Sequence, residues 1–282
     1  MEITKSDHRP GFKVKLLVYG GAILMVLVPF LFWKGTWFGT VLDDSKMGEF
    51  LNSSARPRDT QHALFQMSQK IESGKVEEVR KWYPAVLNLA RHPVPEVRNT
   101  VAWLMGQDNS NGDFHDALYP LANDANPLVR RNAALALVCF GDPTGRPELL
   151  NMLKPFVVQA PMAGILRYRL REDDSVDTGT LLARIENGTA APFELRSVMP
   201  GFFQTKSVED GTPVHQGQDI LVLSPSDAQV WEALRALYLI GEPADLEAVQ
   251  SFTGKMPHLS ERTRQQARLT VAAIQRRSQS LR

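Results

Sequence analysis

The sequence has few of the residues from which common active sites are built. Its 282 residues include one cysteine, Cys139, which excludes an internal disulfide, a paired-cysteine redox site and a cysteine zinc site. No two of the six histidines have the HxxxH or HExxH spacing of helical zinc hydrolases, and phosphate-binding loops and GxSxG elbows are missing. We therefore expect no catalytic residue, no metal ligand and no cofactor, and predict that the protein is not an enzyme.

An excess of charge of either sign is also lacking. The chain has 32 Lys and Arg against 31 Asp and Glu, a net charge of +1. This balance excludes a generally basic nucleic-acid binder, so we expect no nucleic-acid partner. The C-terminal segment departs from the average and predicts either a solvated basic face or a surface for an anionic partner or headgroup. Its basic residues are Arg262, Arg264, Arg268, Arg276 and Arg277.

One long hydrophobic run interrupts this average composition. Residues 16–33 read LLVYGGAILMVLVPFLFW, a charge-free stretch of the length needed to span a bilayer. A cleaved signal peptide would be followed by a small-x-small site, which the next residues, KGTWFGTVL, lack. The single cysteine lies too far along the chain for a lipoprotein anchor. We predict an uncleaved transmembrane helix.

Basic residues predict how this helix is oriented. Residues 1–15 carry four Lys and Arg, whereas only Lys34 and Lys46 lie between the hydrophobic run and Arg56. The positive-inside bias places residues 1–15 in the cytoplasm and the remainder outside. The expected location is the cell inner membrane, single-pass, with the C-terminal domains periplasmic or extracytoplasmic.

Helical repeats follow a linker at residues 34–58. Residues 89–98 (LARHPVPEVR) match residues 121–130 (LANDANPLVR) with a period of 32. A period in this range is typical of stacked helix pairs, each with an apolar face that it cannot cover alone. Pro95 and Pro127 are placed to begin the second helix of each pair, where a missing N–H costs nothing.

The sequences PEVRNTVAWLMG and PLVRRNAALALVCFGDP resemble HEAT (armadillo-like) repeats, particularly the short type shared with phycobilisome lyases. The resemblance implies that Arg98 and Arg130 help to pack neighbouring units. The helical pattern covers residues 59–154 and returns at residues 225–282, so the array is interrupted. Because Cys139 lies in the apolar pattern of a repeat helix, we expect a buried, inert thiol.

The interruption, residues 155–224, is predicted to be an internally duplicated β domain. Gly164 matches Gly201 at a separation of 37, and Gly179 matches Gly217 at 38, at points where the backbone bends or turns. The two halves, APMAG…REDDSVDTGTLLARIE and VMPGFF…VEDGTPVHQGQDILVL, resemble the biotinyl/lipoyl fold, or barrel-sandwich hybrid.

Carrier domains of that family bear a lysine on the hairpin between the halves. Here the hairpin reads ENGTAA, in which Asn187-Gly188 predicts a type I′ turn and no lysine is present; Lys206 lies within the second half. Biotin or lipoate attachment is therefore not expected. Such a domain without a carrier lysine, behind an N-terminal anchor, resembles the membrane-fusion, or periplasmic adaptor, proteins. Those proteins carry a long coiled-coil hairpin where this sequence predicts a tight turn.

Three other groups of polar residues suggest sites on first reading. Residues 108–113 (DNSNGD) have the wrong glycine spacing for a calcium-binding EF-hand and predict a solvated loop. Asp173, Asp174 and Asp177 are expected to be turn residues, and His92 a loop residue.

The sequence thus predicts a multidomain α plus β protein: a single transmembrane helix and an α-solenoid of HEAT-like repeats interrupted by a small all-β barrel-sandwich hybrid. The predicted function is a non-enzymatic, membrane-anchored scaffold for protein–protein interaction, or an accessory or assembly subunit of a cell-envelope complex. Its expected partners are the bilayer, through residues 16–33, and one or more proteins of a membrane complex. Two alternatives remain open, a transport-associated adaptor of membrane-fusion type and an enzyme resembling the phycobilin lyases.

Overall fold

The structure, a computed structural model, describes Met25, Val28 and residues 41–52, 54–188 and 191–280. Apart from Met25 and Val28, the predicted transmembrane segment 16–33 lies outside these residues, as does the predicted cytoplasmic tail. Among the described residues, no helix combines the length and the apolar character needed to cross a bilayer.

The described part of the chain is α plus β, with helices on both sides of a β region. The helices are α1 (Asp44–Phe50), α2 (Pro57–Glu72), α3 (Val76–Arg80), α4 (Tyr83–Leu89), α5 (Pro95–Met105), α6 (Gly112–Leu121), α7 (Pro127–Cys139), α8 (Arg146–Met152), α9 (Asp227–Ile240), α10 (Leu246–Gln250) and α11 (Glu261–Ser280). Single 3₁₀ turns, Pro143–Gly145 and Pro243–Asp245, precede α8 and α10.

Helix α1 lies in the segment that the sequence predicts to be a linker. The Asp43 side chain caps it by accepting a hydrogen bond of 2.8 Å from the Lys46 backbone N–H. Met47 and Leu51 are buried in the same core as the first repeats. The apolar residues at i and i+4 therefore outweigh the polar composition of this segment, and part of the expected linker is packed structure.

Prolines begin three of the longer helices. Pro57, Pro95 and Pro127 are the first residues of α2, α5 and α7. At that position the fixed φ of proline suits the helix, and its missing N–H has no intrahelical acceptor to lose. The prediction from the 32-residue period is confirmed for Pro95 and Pro127.

The longer helices α2, α5, α7, α9 and α11, which we call the row helices, pack side by side in that order. One apolar core runs from α1 to α7, and a second joins α7 and α8 to α9, α10 and α11. In the second core, Ala134 and Leu149 from before the β region pack with Leu234 and Ile274 from after it. The helical array is therefore continuous in space although it is interrupted in sequence.

The interruption consists of two antiparallel four-stranded sheets around a core of their own. One sheet has the order β1-β8-β6-β3 and the other β5-β4-β2-β7. The strands are β1 (Phe156–Gln159), β2 (Gly164–Tyr168), β3 (Ser175–Val176), β4 (Leu181–Glu186), β5 (Phe193–Arg196), β6 (Gly201–Lys206), β7 (Pro213–Val214) and β8 (Asp219–Pro225).

The predicted duplication is visible in this topology. If the number of every strand in the first sheet is raised by four, with β1 counted after β8, the order β1-β8-β6-β3 becomes β5-β4-β2-β7, which is the order of the second sheet. The paired glycines match as well: a Cβ on Gly164 would meet Glu186 O at 2.5 Å, and one on Gly201 would meet Ser224 O at 2.4 Å. Each half therefore needs glycine at the same point, where the start of β2 or β6 lies against the backbone at the end of its antiparallel neighbour, β4 or β8.

The β insertion joins the array through its own end strands and through one loop. Strands β1 and β8, which leave and re-enter the array, are paired antiparallel from Phe156–Leu223 to Gln159–Asp219. Farther along, His258 of the loop before α11 stacks on Phe202, with ring centroids 3.9 Å apart. His258 Nε2 also lies 3.3 Å from Asp173 Oδ1. These contacts attach the insertion to the C-terminal half of the array, and Thr178 and Val198 of the insertion also line a cavity of about 370 Å³ together with Gln61 and Asn99.

Candidate functional site

Two turns that follow repeat helices are closed by an aspartate that accepts a hydrogen bond from a tyrosine. Tyr83 OH donates to Asp108 Oδ2 at 2.8 Å, and Tyr119 OH donates to Asp142 Oδ2 at 2.6 Å. Asp108 is buried, so the segment predicted to be a solvated loop begins with a structural residue. Among the described residues, no group of three or more His, Cys, Asp and Glu is arranged to hold a metal ion.

Asp142 is the most strongly held of these carboxylates. Burial alone would raise its pKa, but hydrogen bonds from Thr144, Tyr119 and His115 outweigh burial and hold the pKa far below its ordinary value. His115 Nε2 lies 2.8 Å from Asp142 Oδ2, and its ring stacks on Phe140. Each of these partners belongs to α6 or to the turn after α7, so the cluster ties one repeat to its own turn.

Arg98 and Arg130 perform the packing role that the HEAT resemblance implies. Arg98 makes a bidentate contact with Asp124 of the next repeat, at 2.6 and 2.8 Å, and Nη1 donates to His92 O at 2.7 Å. In the same way, Arg130 Nη1 donates to Asp124 O at 2.8 Å. Each arginine therefore closes the turn six residues before it. His92 is indeed a loop residue, and it is buried.

In the β insertion, the connection between the halves is longer than the sequence predicts. Strand β4 ends at Glu186 and β5 begins at Phe193, so residues 187–192 separate them and the expected two-residue type I′ turn is wrong. Gly188 does have a positive φ of 67°. No residue of this connection is lysine. Lys206 lies at the end of β6, with Nζ 5.3 Å from the centre of the Tyr168 ring.

The three aspartates of the insertion lie at or beside turns, as expected. Asp174 Oδ2 accepts a hydrogen bond of 2.7 Å from the Arg171 backbone N–H. The backbone N–H of Asp177 donates to Thr180 Oγ1 at 3.0 Å. Asp173 has a positive φ of 69° and faces His258. Their contacts account for local backbone geometry and for docking of the insertion.

A continuous surface runs across the row helices and is the strongest candidate for a functional site. Gln61 Nε2 of α2 lies 3.5 Å from Thr100 Oγ1 of α5, and Asn132 Nδ2 of α7 donates to Asn99 Oδ1 of α5 at 2.9 Å. These polar contacts link successive row helices. Residues four or seven places farther along each helix lie on the same side.

We call this surface the row face. Its apolar and aromatic members are all partly or largely exposed, and Phe65 is 48% exposed. A patch with this composition is typical of a binding surface rather than of ordinary solvated helix. The row face comprises Gln61 and Phe65 of α2, Asn99 and Trp103 of α5, Asn132, Leu135 and Cys139 of α7, Trp231, Glu232, Arg235 and Tyr238 of α9, and Arg262 of α11.

The prediction that Cys139 is a buried thiol is wrong, because its side chain is exposed. Leu137 and Val138 occupy the core positions of this turn of α7, and Cys139 follows Leu135 on the row face. Surrounding protein raises the pKa of Cys139 and of Glu232, and the charge of Arg235 opposes the rise in both. All three side chains are exposed, on the neighbouring helices α7 and α9.

At one end of the row face, two arginines contact the ring of Trp231. The guanidinium carbon of Arg235 lies 4.6 Å from the ring centre, and that of Arg262 lies 3.8 Å from it. Arg235 is one helical turn after Trp231 on α9, whereas Arg262 comes from the first turn of α11. These are cation–π contacts between neighbouring row helices.

Most of the other arginines of α11 have partners within the protein. Arg264 and Arg268 both pair with Glu261, at 2.6 Å. Arg277 donates to the carbonyl oxygens of Tyr238 and Gly241 at the end of α9. The basic segment predicted from the sequence is therefore largely neutralised or structural, and Arg262 is the member that lies on the row face.

Trp231, Phe65 and Trp103 were not identified from the sequence. For Trp231, the sequence contains one signal of a shared surface: Arg235 follows it by four residues on a helix whose other side is apolar. Partly exposed aromatic residues at the same position of successive repeats would also have indicated a surface. That signal becomes visible only once the repeats have been aligned and their buried side is known.

Residues 83–160 match the family model described as HEAT repeats, from the start of α4 to the end of β1. No curated protein matches the sequence.

Proposed function

We propose that this chain is a non-enzymatic, membrane-anchored scaffold for protein–protein interaction, or an accessory or assembly subunit of a cell-envelope complex. In this proposal, residues 16–33 cross the inner membrane, residues 1–15 lie in the cytoplasm, and the helical array and β insertion lie outside it. The partners are one or more proteins of a membrane complex.

The row face is the observation that carries the proposal. HEAT repeats form extended surfaces by stacking, and here the row helices present exposed aromatic, amide and arginine side chains together. Aromatic residues and arginine are the types most enriched at protein interfaces. In the inter-repeat turns, Asp108, Asp124 and Asp142 are already occupied by structural contacts, whereas the row face exposes Glu232 and Arg235.

The β insertion supplies a second docking surface in this proposal. Strand β5 lies at the edge of its sheet, and Phe193 at its start is 44% exposed. An edge strand offers unpaired backbone groups to another chain. Phe193, Met162 and Ile185 line a depression of about 470 Å³ beside that edge.

The alternative is a transport-associated adaptor of membrane-fusion type. The insertion favours it, because it has two related sheets and no lysine in the connection between its halves. The six residues 187–192 between β4 and β5 do not provide the long hairpin with which such adaptors reach their partners. We therefore prefer the scaffold.

Site-specific photo-crosslinking in living cells tests the proposal. p-Benzoylphenylalanine at Phe65 probes the row face, at Phe193 it probes the insertion, and at Asp116, an exposed position on α6, it serves as the matched control. We expect a discrete crosslinked protein from Phe65, identified by mass spectrometry, and none from Asp116. Equal crosslinking at Phe65 and Asp116 contradicts the scaffold. So does the absence of crosslinking at both Phe65 and Phe193.

Topology has its own test. Alkaline phosphatase, which is active only outside the cytoplasm, is fused after Arg282, and a fluorescent protein that matures only in the cytoplasm is fused in parallel. We expect phosphatase activity without fluorescence. The reverse result overturns the proposed orientation while leaving the row face as a binding surface.

A further inference from the structure

The contact between Trp231 and two arginines forms an organised cationic site on the row face. Arg235 and Arg262 lie 4.6 and 3.8 Å from the ring centre, measured from their guanidinium carbons. A guanidinium that rests against an indole ring has lost part of its hydration and much of its rotational freedom. Its N–H groups point outward from the edges and remain able to donate.

Within the described part of the chain, neither guanidinium forms a hydrogen bond or an ion pair with a carboxylate. Two carboxylates are near enough to affect the charge balance. Glu232 interacts with Arg235 over a longer distance, and Asp227 interacts in the same way with Arg262. Asp227 Oδ1 is already the acceptor of the Ser260 backbone N–H at 2.8 Å.

The neighbouring arginines of α11, in contrast, have a carboxylate partner within the protein. Arg264 and Arg268 lie on the same helix as Arg262 and share the carboxylate of Glu261. Arg262 has aromatic support in place of such a partner. The chain therefore keeps two oriented guanidinium groups available beside Trp231 on the row face.

We propose that the row face at Trp231, Arg235 and Arg262 binds an acidic segment of a partner protein, with Asp or Glu carboxylates of that segment accepting hydrogen bonds from both arginines. The inference rests on the proposed function and adds the chemistry of the partner. Guanidinium groups bind carboxylates bidentately, and a tryptophan with two arginines is the composition of an interface hot spot.

The neighbours of the cluster favour a chain segment over a lipid surface. Glu232 is exposed next to Trp231 and interacts with Arg235, so a uniformly anionic bilayer would bring its headgroups against this carboxylate, whereas a peptide can place single carboxylates on the two arginines. Leu135 of α7 and Tyr238, seven residues after Trp231 on α9, supply apolar contacts for the same segment.

Selection from a random peptide display library on the purified full-length chain in detergent tests this inference. We expect the selected peptides to be enriched in Asp and Glu over the input library. The R235Q/R262Q variant removes both charges and is expected to bind the selected peptides about 10- to 100-fold more weakly. The control variant R264Q/R268Q changes the same number of charges and is expected to retain the affinity.

The single cysteine locates the binding. Because Cys139 lies on the row face, a selected peptide should slow its reaction with a maleimide in the wild-type chain and in the control variant. Peptides that protect Cys139 but lack acidic residues, or equal binding by R235Q/R262Q, overturn the inference and leave the row face as a partner site. A library that yields no peptide overturns it too, and crosslinking at Phe65 then decides separately whether the scaffold stands.

Vesicles containing anionic lipid provide the remaining arm. The inference is contradicted if such vesicles bind the wild-type chain, fail to bind R235Q/R262Q and displace the selected peptides. That result identifies the cluster as a surface for lipid headgroups.

Discussion

Arg131 Nη1 donates a hydrogen bond of 2.5 Å to Gln229 Oε1, across 98 residues of sequence and the whole β insertion. Gln229 Nε2 in turn donates to Met152 O at 2.6 Å, at the last residue of α8. Both side chains are buried. One amide thus joins the last helix before the insertion to α7 and to the first helix after it.

Removing this amide should destabilise the protein markedly. In Q229A, the buried Arg131 guanidinium loses its acceptor and Met152 O loses its donor, so we expect a loss of about 2–4 kcal/mol in unfolding free energy. Desolvation has already lowered the pKa of Arg131 to about 10. Urea denaturation measures the change. Q159A, which removes an exposed contact with Asp219, is the control and should change stability by less than about 0.5 kcal/mol. Similar losses in both variants contradict the prediction.

The Asp142 cluster should make stability depend on pH. Its carboxylate is 11% exposed and has a lowered pKa in the folded state, so it stabilises the fold above its unfolded-state pKa of about 3.9 and loses that contribution as the pH falls. At pH 7, we expect D142N to be less stable by about 1–3 kcal/mol.

Chemical denaturation across the pH range checks this dependence. The difference between D142N and wild type should shrink as the pH is lowered below about 4. An unchanged difference at low pH would show that the charge of Asp142 is not what holds the cluster. D116N, which alters an exposed carboxylate on the same repeat, is the matched control.

Cys139 should react with thiol reagents in the native protein. Its side chain is exposed, so one equivalent of label per chain is expected without denaturant. Because desolvation by the neighbouring protein raises the pKa of this solvent-reached thiol, the thiolate fraction at pH 7 is small, and the labelling rate should continue to rise beyond pH 9. Labelling reactions quenched at successive times and analysed by mass spectrometry measure the number of labels per chain and the labelling rate. C139S is the blank. Labelling that requires denaturant contradicts the assignment of Cys139 to the row face.

Deleting the β insertion should leave the helical array folded. Replacing residues 156–224 with a short Gly-Ser linker should keep both helical cores intact, because the insertion has a core of its own. The linker can be short because the insertion begins and ends with the paired strands β1 and β8. We expect cooperative thermal unfolding and a helical circular dichroism spectrum. A deletion of the same kind within the array, residues 95–121, removes core helices and should abolish cooperative unfolding. Loss of folding in both deletions would mean that the insertion is part of the array.

The sequence predicts the order of the architecture more reliably than the detail of its surfaces. The 32-residue period places Pro95 and Pro127 correctly, since a repeated core pattern and a repeated helix start must coincide. The glycine spacing likewise predicts the duplicated insertion. Gly164 and Gly201 are required because a Cβ at either position would collide with a backbone oxygen of the neighbouring strand.

The errors arise where neighbouring elements decide the outcome. Cys139 fits an apolar pattern, but the angular position of α7 against its neighbours puts Val138 in the core and the thiol on the row face. Asn187-Gly188 favours a tight turn, yet β5 starts at Phe193 and lengthens the connection. The cluster at Trp231 depends on contact between α9 and α11, which no local pattern in either helix contains.

The second helical core is made of residues from both sides of the insertion, and this has a consequence for synthesis. As the chain leaves the ribosome, α7 and α8 emerge with an apolar face whose partners, from Val230 to Ile274, have not yet been made. At about 5–20 residues per second, that face remains uncovered for several seconds while the β sheets form between. The nascent chain thus exposes an apolar helical face midway through translation, and we expect a chaperone that recognises apolar helices to bind it during that interval.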